Sequence, residues 1–342
     1  MSPTAPRLLG LLCDGSLHSG AQLAAALGVS RAAVWKLVGE LREAGVAIDS
    51  LSRRGYRLSA PVELLDAGRM RAHAREQGRR LPDELEVHFL IDSTNDQLYD
   101  APLPAPGAAR VAFAELQSAG RGRRGRRWIA PFGSGLTFSI SWTFAETPAD
   151  LPALGLALGV AIARVLCGLG AQSLSLKWPN DLLHDGRKLG GLLTQLRQEA
   201  GGAATVVAGL GLNLALPDAA HKAIDRAIDQ AVDTSAHPAL AVADLAEAIP
   251  QGLPSRNLIA SRLVLGLEDA LREFATVGFT GFAQDWAALD ALRDAPVRVH
   301  QGSERFEGTA RGTDRDGALL VESAGRVLRV FSGDVSVRRT AP

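Results

Sequence analysis

The run from Gly120 to Trp128, Gly-Arg-Gly-Arg-Arg-Gly-Arg-Arg-Trp, carries five arginines, three glycines and no acid. Like charges repel and glycines cost the most backbone entropy to fix, so this stretch is expected to stay mobile until an anion orders it. A basic run alone reads equally as a nucleic-acid patch or a solvated linker. Its flanks narrow the choice. Arg110 to Gln117 and Leu136 to Phe144 both have strand character, so the run interrupts a sheet, where ligand loops on rigid scaffolds sit.

The 342 residues leave room for two or three domains, and 46% hydrophobic with 22% charged residues is ordinary for a globular chain. Net charge is zero, so nucleic-acid contact has to come from local patches. The first 60 residues hold a second basic patch: Arg7, Arg31, Lys36, Arg42, Arg53, Arg54 and Arg57 outnumber Asp14, Glu40, Glu43 and Asp49. The two cysteines, Cys13 and Cys167, lie far apart in apolar helical patterns; they support neither a disulfide framework nor a zinc site and are expected to be buried thiols. The N-terminus lacks a signal-peptide pattern, and glycines and Arg164 interrupt the apolar run Leu151 to Leu169, so a cytoplasmic protein without a membrane span is expected.

Along the chain, Pro6 to Asp14 predicts a short helix, and Ser19-Gly20-Ala21-Gln22 has capping-box spacing for a second, which Gly28 stops. A third helix opens at Ser30. Val34, Leu37, Val38 and Leu41 form its buried stripe, while Arg31, Ala32, Trp35 and Lys36 lie off it. With a hairpin across Ser52-Arg53-Arg54-Gly55, this is a winged helix-turn-helix. Ser30, Arg31, Ala32, Trp35, Lys36, Arg53 and Arg54 are the candidate DNA contacts, although Trp35 is expected to fold onto the wing.

Residues 61–80 are expected to be a connector. Beyond them, Glu86 to Ile91 reads as a strand running into Asp92-Ser93-Thr94-Asn95, whose short polar side chains suit a helix start. Ser173 to Lys177 is a strand ending in Lys177-Trp178-Pro179-Asn180-Asp181, an expected exposed turn. Asp185-Gly186 is a hairpin signal that delivers Lys188 into Leu189-Gly190-Gly191. The glycine alternation in Thr205 to Leu216 suggests a ligand lying across a strand face. Ala239 to Trp286 is mainly helical with a break at Pro250 to Pro254, and Pro296 to Arg339 reads as about five short strands docked on the larger domain.

An arginine loop, Lys188 and the Asp181 carboxylate could meet around a nucleotide and Mg²⁺. There is no P-loop or dinucleotide fingerprint, and no nucleophile can be assembled. Chemistry by positioning and charge stabilisation is therefore expected.

Five motifs, in order across nearly the whole chain, carry a resemblance: Asp92-Ser93-Thr94-Asn95, Gln117 with Gly120 to Arg126, Lys177 to Asp181, Lys188 to Gly191, and Gly211-Leu212-Asn213. The chain resembles the bifunctional biotin–protein ligases that double as repressors of biotin synthesis. The resemblance implies an α+β fold in three parts: a winged helix-turn-helix at 1–60, a central mixed-sheet domain of the class II aminoacyl-tRNA-synthetase/biotin ligase type at 81–291, and an SH3-like barrel at 292–342.

It also implies ATP, Mg²⁺ and biotin, a biotin carboxyl carrier protein as acceptor, operator DNA, and a homodimer of the biotinyl-5′-AMP-bound form. Ser93, Thr94, Asn95, Gln117, Gly120, Arg121, Gly122, Arg123, Trp128, Lys188, Gly191 and Asn213 would then hold biotin or its adenylate. Arg123, Lys188 and Lys177 would act in catalysis, with Asp181 on the metal. A ligase that no longer regulates transcription, a non-enzymatic biotin sensor and a lipoate–protein ligase are the alternatives. Gly190 stands where the family often has alanine, which is expected to be harmless.

Overall fold

A computed structural model describes residues 1–198, 202–217, 221, 241–301, 304–332 and 335–339. Helices α1 (Ala5–Leu12), α2 (Gly20–Leu27) and α3 (Arg31–Glu43) open the chain. Ser19 and Gln22 make the reciprocal capping box, and Gly28 ends α2 in the left-handed conformation. Val34, Leu37, Val38 and Leu41 are the buried residues of α3, as the periodicity requires. Strands β1 (Ile48–Leu51) and β2 (Gly55–Leu58) pair antiparallel to form the wing. Gly55 is obligatory there: an added Cβ would stand 2.0 Å from the His18 carbonyl oxygen.

Two expectations fail here. Trp35 does not fold onto the wing but is 71% exposed, because the stripe that buries α3 leaves position 35 on the opposite face. Cys13 is half-buried and Cys167 is exposed; burial pushes the Cys13 thiol up to about 11, with the nearby Glu115 carboxylate adding to the rise.

The central sheet has seven strands in the order β3-β4-β5-β9-β8-β7-β6. These are β3 (Glu84–Ile91), β4 (Ala109–Gln117), β5 (Gly135–Phe144), β6 (Leu174–Lys177), β7 (Asp181–His184), β8 (Arg187–Gln198) and β9 (Ala204–Asn213). The sheet is mixed: β3 and β4 run parallel and the other neighbours antiparallel. One face carries Phe113, Phe138, Ile140, Trp142, Val206, Leu210 and Leu212 into the main core. Helices α4 (Ala67–Glu76), α6 (Leu154–Gly168) and α8 (Arg256–Val277) contribute Met70, Leu158 and Leu263 to that core. The stretch read as a connector thus supplies core residues. Although α6 and the turn before it are apolar enough to cross a membrane, 61% of that stretch is buried inside the protein, and it serves as the core helix.

The opposite face receives the short helix α5 (Thr94–Asp100). Here β5 departs from the usual half-buried strand. All ten of its residues are buried, including the hydroxyl row Thr137, Ser139, Ser141 and Thr143.

The winged helix is docked rather than tethered. Leu116 of β4 lies in the winged-helix core, with Phe89, Leu90 and Phe132 packed against it. One residue earlier, buried Glu115 accepts from Leu65 N–H and from Arg256 Nη2, at 2.6 and 3.0 Å. Arg256 also donates to the carbonyls of Glu63 and Gly135.

Short helices α7 (Leu245–Ala248) and α9 (Ala283–Leu289) flank α8. The expected helical stretch begins at 239 and 240, outside the described residues. The C-terminal part is a five-stranded antiparallel sheet, β13-β12-β11-β10-β14, built from β10 (Pro296–Gln301), β11 (Glu304–Thr313), β12 (Leu319–Ser323), β13 (Arg326–Val330) and β14 (Val335–Arg339). It docks as expected. Trp178 donates its indole N–H to the Gly317 carbonyl at 3.0 Å and is 2% exposed. The turn around Trp178 is therefore packed, not exposed, because the C-terminal sheet covers it.

Candidate active site and DNA-binding face

Three glycines on neighbouring strands build the floor of the site. At Gly209 an added Cβ would stand 2.0 Å from Asn95 Oδ1, and at Gly211 it would stand 2.2 Å from the Trp128 ring. Gly191 pairs with Gly211 across β8 and β9; Lys188 Nζ and Asp181 Oδ1 both lie 3.5 Å from its Cβ position. The alternation in β9, expected to seat a ligand directly, seats the protein's own Asn95 and Trp128.

Around Gly209 the groups are neutral. Gln117 Oε1 accepts from Thr94 N–H at 2.7 Å and lies 3.2 Å from Thr94 Oγ1. Ser139 Oγ stands 2.7 Å from Thr94 Oγ1 and 2.6 Å from Asn95 Oδ1. Ser93 occupies the N-cap position of α5, yet its side chain makes no capping bond, so its hydroxyl is not spent on the helix. Hydroxyls and carboxamides that both donate and accept suit a ring with the same mixed demand.

Around Gly191 the groups are charged. Lys188 Nζ donates to Asp181 Oδ1 at 2.6 Å and stands 6.0 Å from the Trp128 ring centre. Lys177 is paired in register with Asp181 across β6 and β7. Asp181 offers one carboxylate with one oxygen already engaged. That fits Mg²⁺, which keeps several waters and takes remaining ligands from phosphates.

The arginine loop is better held than expected. Gly122 N–H donates to Arg126 O at 2.7 Å and Trp128 N–H to Gly120 O at 2.9 Å, making a small internal hairpin. Gly125 and Arg124 take positive φ at its tip. Arg121 is 3.0 Å from Asp96 of α5. Arg123 reaches Asn180 Oδ1 at 3.3 Å and also donates to the Ser332 carbonyl. The missing acid is thus supplied from another element, and Arg123 joins the loop to both the Lys177–Asp181 motif and the C-terminal sheet. Gly120 is constrained by Trp128 O, 2.6 Å from its Cβ position.

Two expected ligand contacts are occupied. Asn95 Nδ2 donates to Leu193 O and Gln195 Oε1, at 3.1 and 2.8 Å. Asn213 Nδ2 donates to Ala243 O at 3.0 Å, tying β9 to the chain before α7. At Gly190 the backbones come close: an added Cβ would stand 2.8 Å from the Gly211 carbonyl oxygen. Ser139 was missed because nothing local to the strand Leu136 to Phe144 shows that Thr94 and Asn95 of α5 come to lie on its hydroxyl.

On the winged helix, Ser30 caps α3 through Ala33 N–H. Ser30, Arg31, Ala32, Trp35 and Lys36 are exposed together, as are Arg53 and Arg54 at the wing tip. A protruding basic helix beside a basic hairpin tip suits a groove with flanking phosphates.

The winged helix, the mixed sheet with its one neutral and one charged cluster, and the small C-terminal sheet are each matched by a family profile. The biotin/lipoate A/B protein ligase family matches residues 87–213, a helix-turn-helix domain 8–57, and the biotin protein ligase C-terminal domain 295–338. The chain is 37% identical over 332 residues to the bifunctional ligase/repressor BirA of Salmonella typhimurium, covering 97% of this chain and 96% of that one. It is 35% identical over 333 residues to the BirA of Escherichia coli, with the same coverage. The biotin protein ligase of Aquifex aeolicus, solved with biotin and ATP, superposes with a TM-score of 0.60 at 22% identity, over 75% of this chain and all of that one. The chain belongs to the family of bifunctional biotin–protein ligase/repressors.

Proposed function

We propose that the neutral cluster takes the ring end of biotin and the charged cluster takes its carboxylate and the ATP phosphates. The observation that carries this is the order of the floor: neutral amides and hydroxyls at Gly209, Trp128 at Gly211, and the Lys188–Asp181 pair at Gly191. A ligand laid along it would have its uncharged end among Ser93, Thr94 and Gln117 and its anionic end at Lys188.

In the first step the biotin carboxylate attacks the α-phosphate of ATP, giving biotinyl-5′-AMP and pyrophosphate. Two anions have to meet, so fixed cations matter most: Lys188, Arg123 and Lys177 lower the repulsion. Mg²⁺, when bound, supplies further positive charge to the triphosphate, and Asp181 is the carboxylate that would hold it. In the second step an acceptor lysine of a biotin carboxyl carrier protein attacks the acyl carbon and releases AMP. The mixed anhydride is open to water, and the segment Gly120, Arg121, Gly122 and Arg123 covers it, with Arg123 latched on Asn180.

The winged helix places Arg31, Trp35 and Lys36 in a major groove, with Arg53 and Arg54 on the flanking backbone. The repressing form is an isologous dimer, built where β8 outruns β7. On its β8 side, strand β7 pairs within Arg187 to Gly191, and Leu196 beyond that point is 51% exposed, leaving an edge suited to a second copy. The protein works in the cytoplasm. The ligase reading is tested by biotin-dependent exchange of pyrophosphate into ATP without DNA; a protein that exchanges none contradicts it. Operator binding is tested by a salt-dependent promoter-fragment shift that biotin with ATP strengthens.

A further inference from the structure

Gln195 belongs to none of the five motifs, yet its carboxamide bonds Asn95, the residue seated on Gly209 at the floor of the site. It lies on the same face of β8 as Arg197, and the two strap α5 at both ends. Gln195 Oε1 accepts from Asn95 Nδ2 at 2.8 Å; Arg197 donates to the Tyr99 carbonyl at 3.0 Å and stands 6.0 Å from the Tyr99 ring centre.

Asn95 is 4% exposed, so each of its polar atoms needs a protein partner. The Leu193 carbonyl can only accept, which turns Nδ2 towards β8 and Oδ1 towards Ser139 Oγ at 2.6 Å. Gln195 takes the second hydrogen of the same amide. With both hydrogens committed and Gly209 giving it room, Asn95 is a brace beneath Thr94 and Ser139. Its orientation decides how those hydroxyls are arranged: Oδ1 draws on Ser139 Oγ, which is 2.7 Å from Thr94 Oγ1, which in turn is 3.2 Å from Gln117 Oε1.

We propose that Gln195 is a positioning residue for the biotin end of the site, acting through Asn95 to fix the Ser139–Thr94–Gln117 hydroxyl and amide chain. The inference rests on the reading of that cluster as the biotin end. Gln195→Leu removes the acceptor at similar volume, leaving a buried Asn95 hydrogen unpaired. The carboxamide is then held on the β8 side by the Leu193 carbonyl alone, and the hydroxyls lose part of their set direction. Gln195→Glu keeps an acceptor at the same place and is the rescue.

The test measures biotin affinity by calorimetry, and KM and kcat by pyrophosphate exchange, in the full-length wild type and both variants. Gln195→Leu is expected to weaken biotin binding and raise its KM by about tenfold, the factor that about 1.4 kcal/mol of lost binding produces. The KM for ATP and kcat at saturating biotin should stay within about twofold, and Gln195→Glu should recover most of the affinity. Wild-type affinity in Gln195→Leu overturns the proposal. Equal impairment of both variants, or loss spread over biotin and ATP alike, overturns it too by revealing a structural defect. Wild-type protein that binds no biotin overturns the site reading and the proposal with it, so the two failures are told apart.

Discussion

Lys188 and Asp181, seven positions apart on the two arms of a hairpin, form a 2.6 Å ion pair directly over Gly191. The Asp185-Gly186 turn, with both residues at positive φ, sets the register that brings them together. This pair is the charged end of the site.

Replacing Lys188 with Met leaves the Asp181 carboxylate facing incoming phosphates without its cation. Adenylation should fall by about a hundredfold to a thousandfold, the usual loss when one stabilising donor is removed. Pyrophosphate exchange measures it; a Lys188→Met rate equal to wild type contradicts the assignment.

Arg123 touches Asn180 and the Ser332 carbonyl, so it latches the loop onto two other elements. Arg123→Gly should let biotinyl-5′-AMP escape into solution and be hydrolysed. Adenylate retention after rapid gel filtration checks this, and unchanged dissociation would sink the latch.

Gly211 holds the Trp128 ring where a Cβ would stand. Gly211→Ala should push the half-buried indole off the floor with little loss of thermal stability, because the ring can move outwards. Misplacing a site residue by about an ångström can lower kcat/KM by about a hundredfold. An alanine variant with wild-type kcat/KM would mean that Trp128 does not shape the site.

Buried Glu115 and Arg256 tie the segment after the winged helix to β4, one residue before Leu116 enters the winged-helix core and two before Gln117 enters the site. Glu115→Ala strands a buried guanidinium and should cost about 3–5 kcal/mol of stability. Chemical denaturation measures it; a loss below about 1 kcal/mol would contradict the burial of that charge.

Glu63 beside this knot adds a pH dependence. Burial alone would raise its carboxyl, but hydrogen bonds from the Asn257 and Ser255 side chains and the Arg256 backbone hold it below its ordinary 4.5. A depressed folded value means that its contribution is intact above 4.5 and is lost as pH falls below it. Glu63→Gln should flatten the acid limb of the stability profile, and an unchanged limb would remove Glu63 from the account.

Much of this was legible in the sequence. The capping box at Ser19, the buried stripe of α3 and the Asp185-Gly186 turn follow from local rules, and the order of the five motifs carried the family. What failed depended on distant packing. The arginine loop lacked an acid in sequence but finds Asp96, and Trp178 looked exposed until the C-terminal sheet covered it.

The central claim is that one chain activates biotin and hands it to a protein lysine. Incubation with biotin, ATP, Mg²⁺ and a biotin carboxyl carrier domain, followed by intact mass measurement, tests it directly. The account predicts one added biotinyl group on the acceptor, dependent on ATP and abolished when its acceptor lysine is replaced. An acceptor of unchanged mass, in a reaction where a proven biotin ligase modifies the same domain, would contradict it.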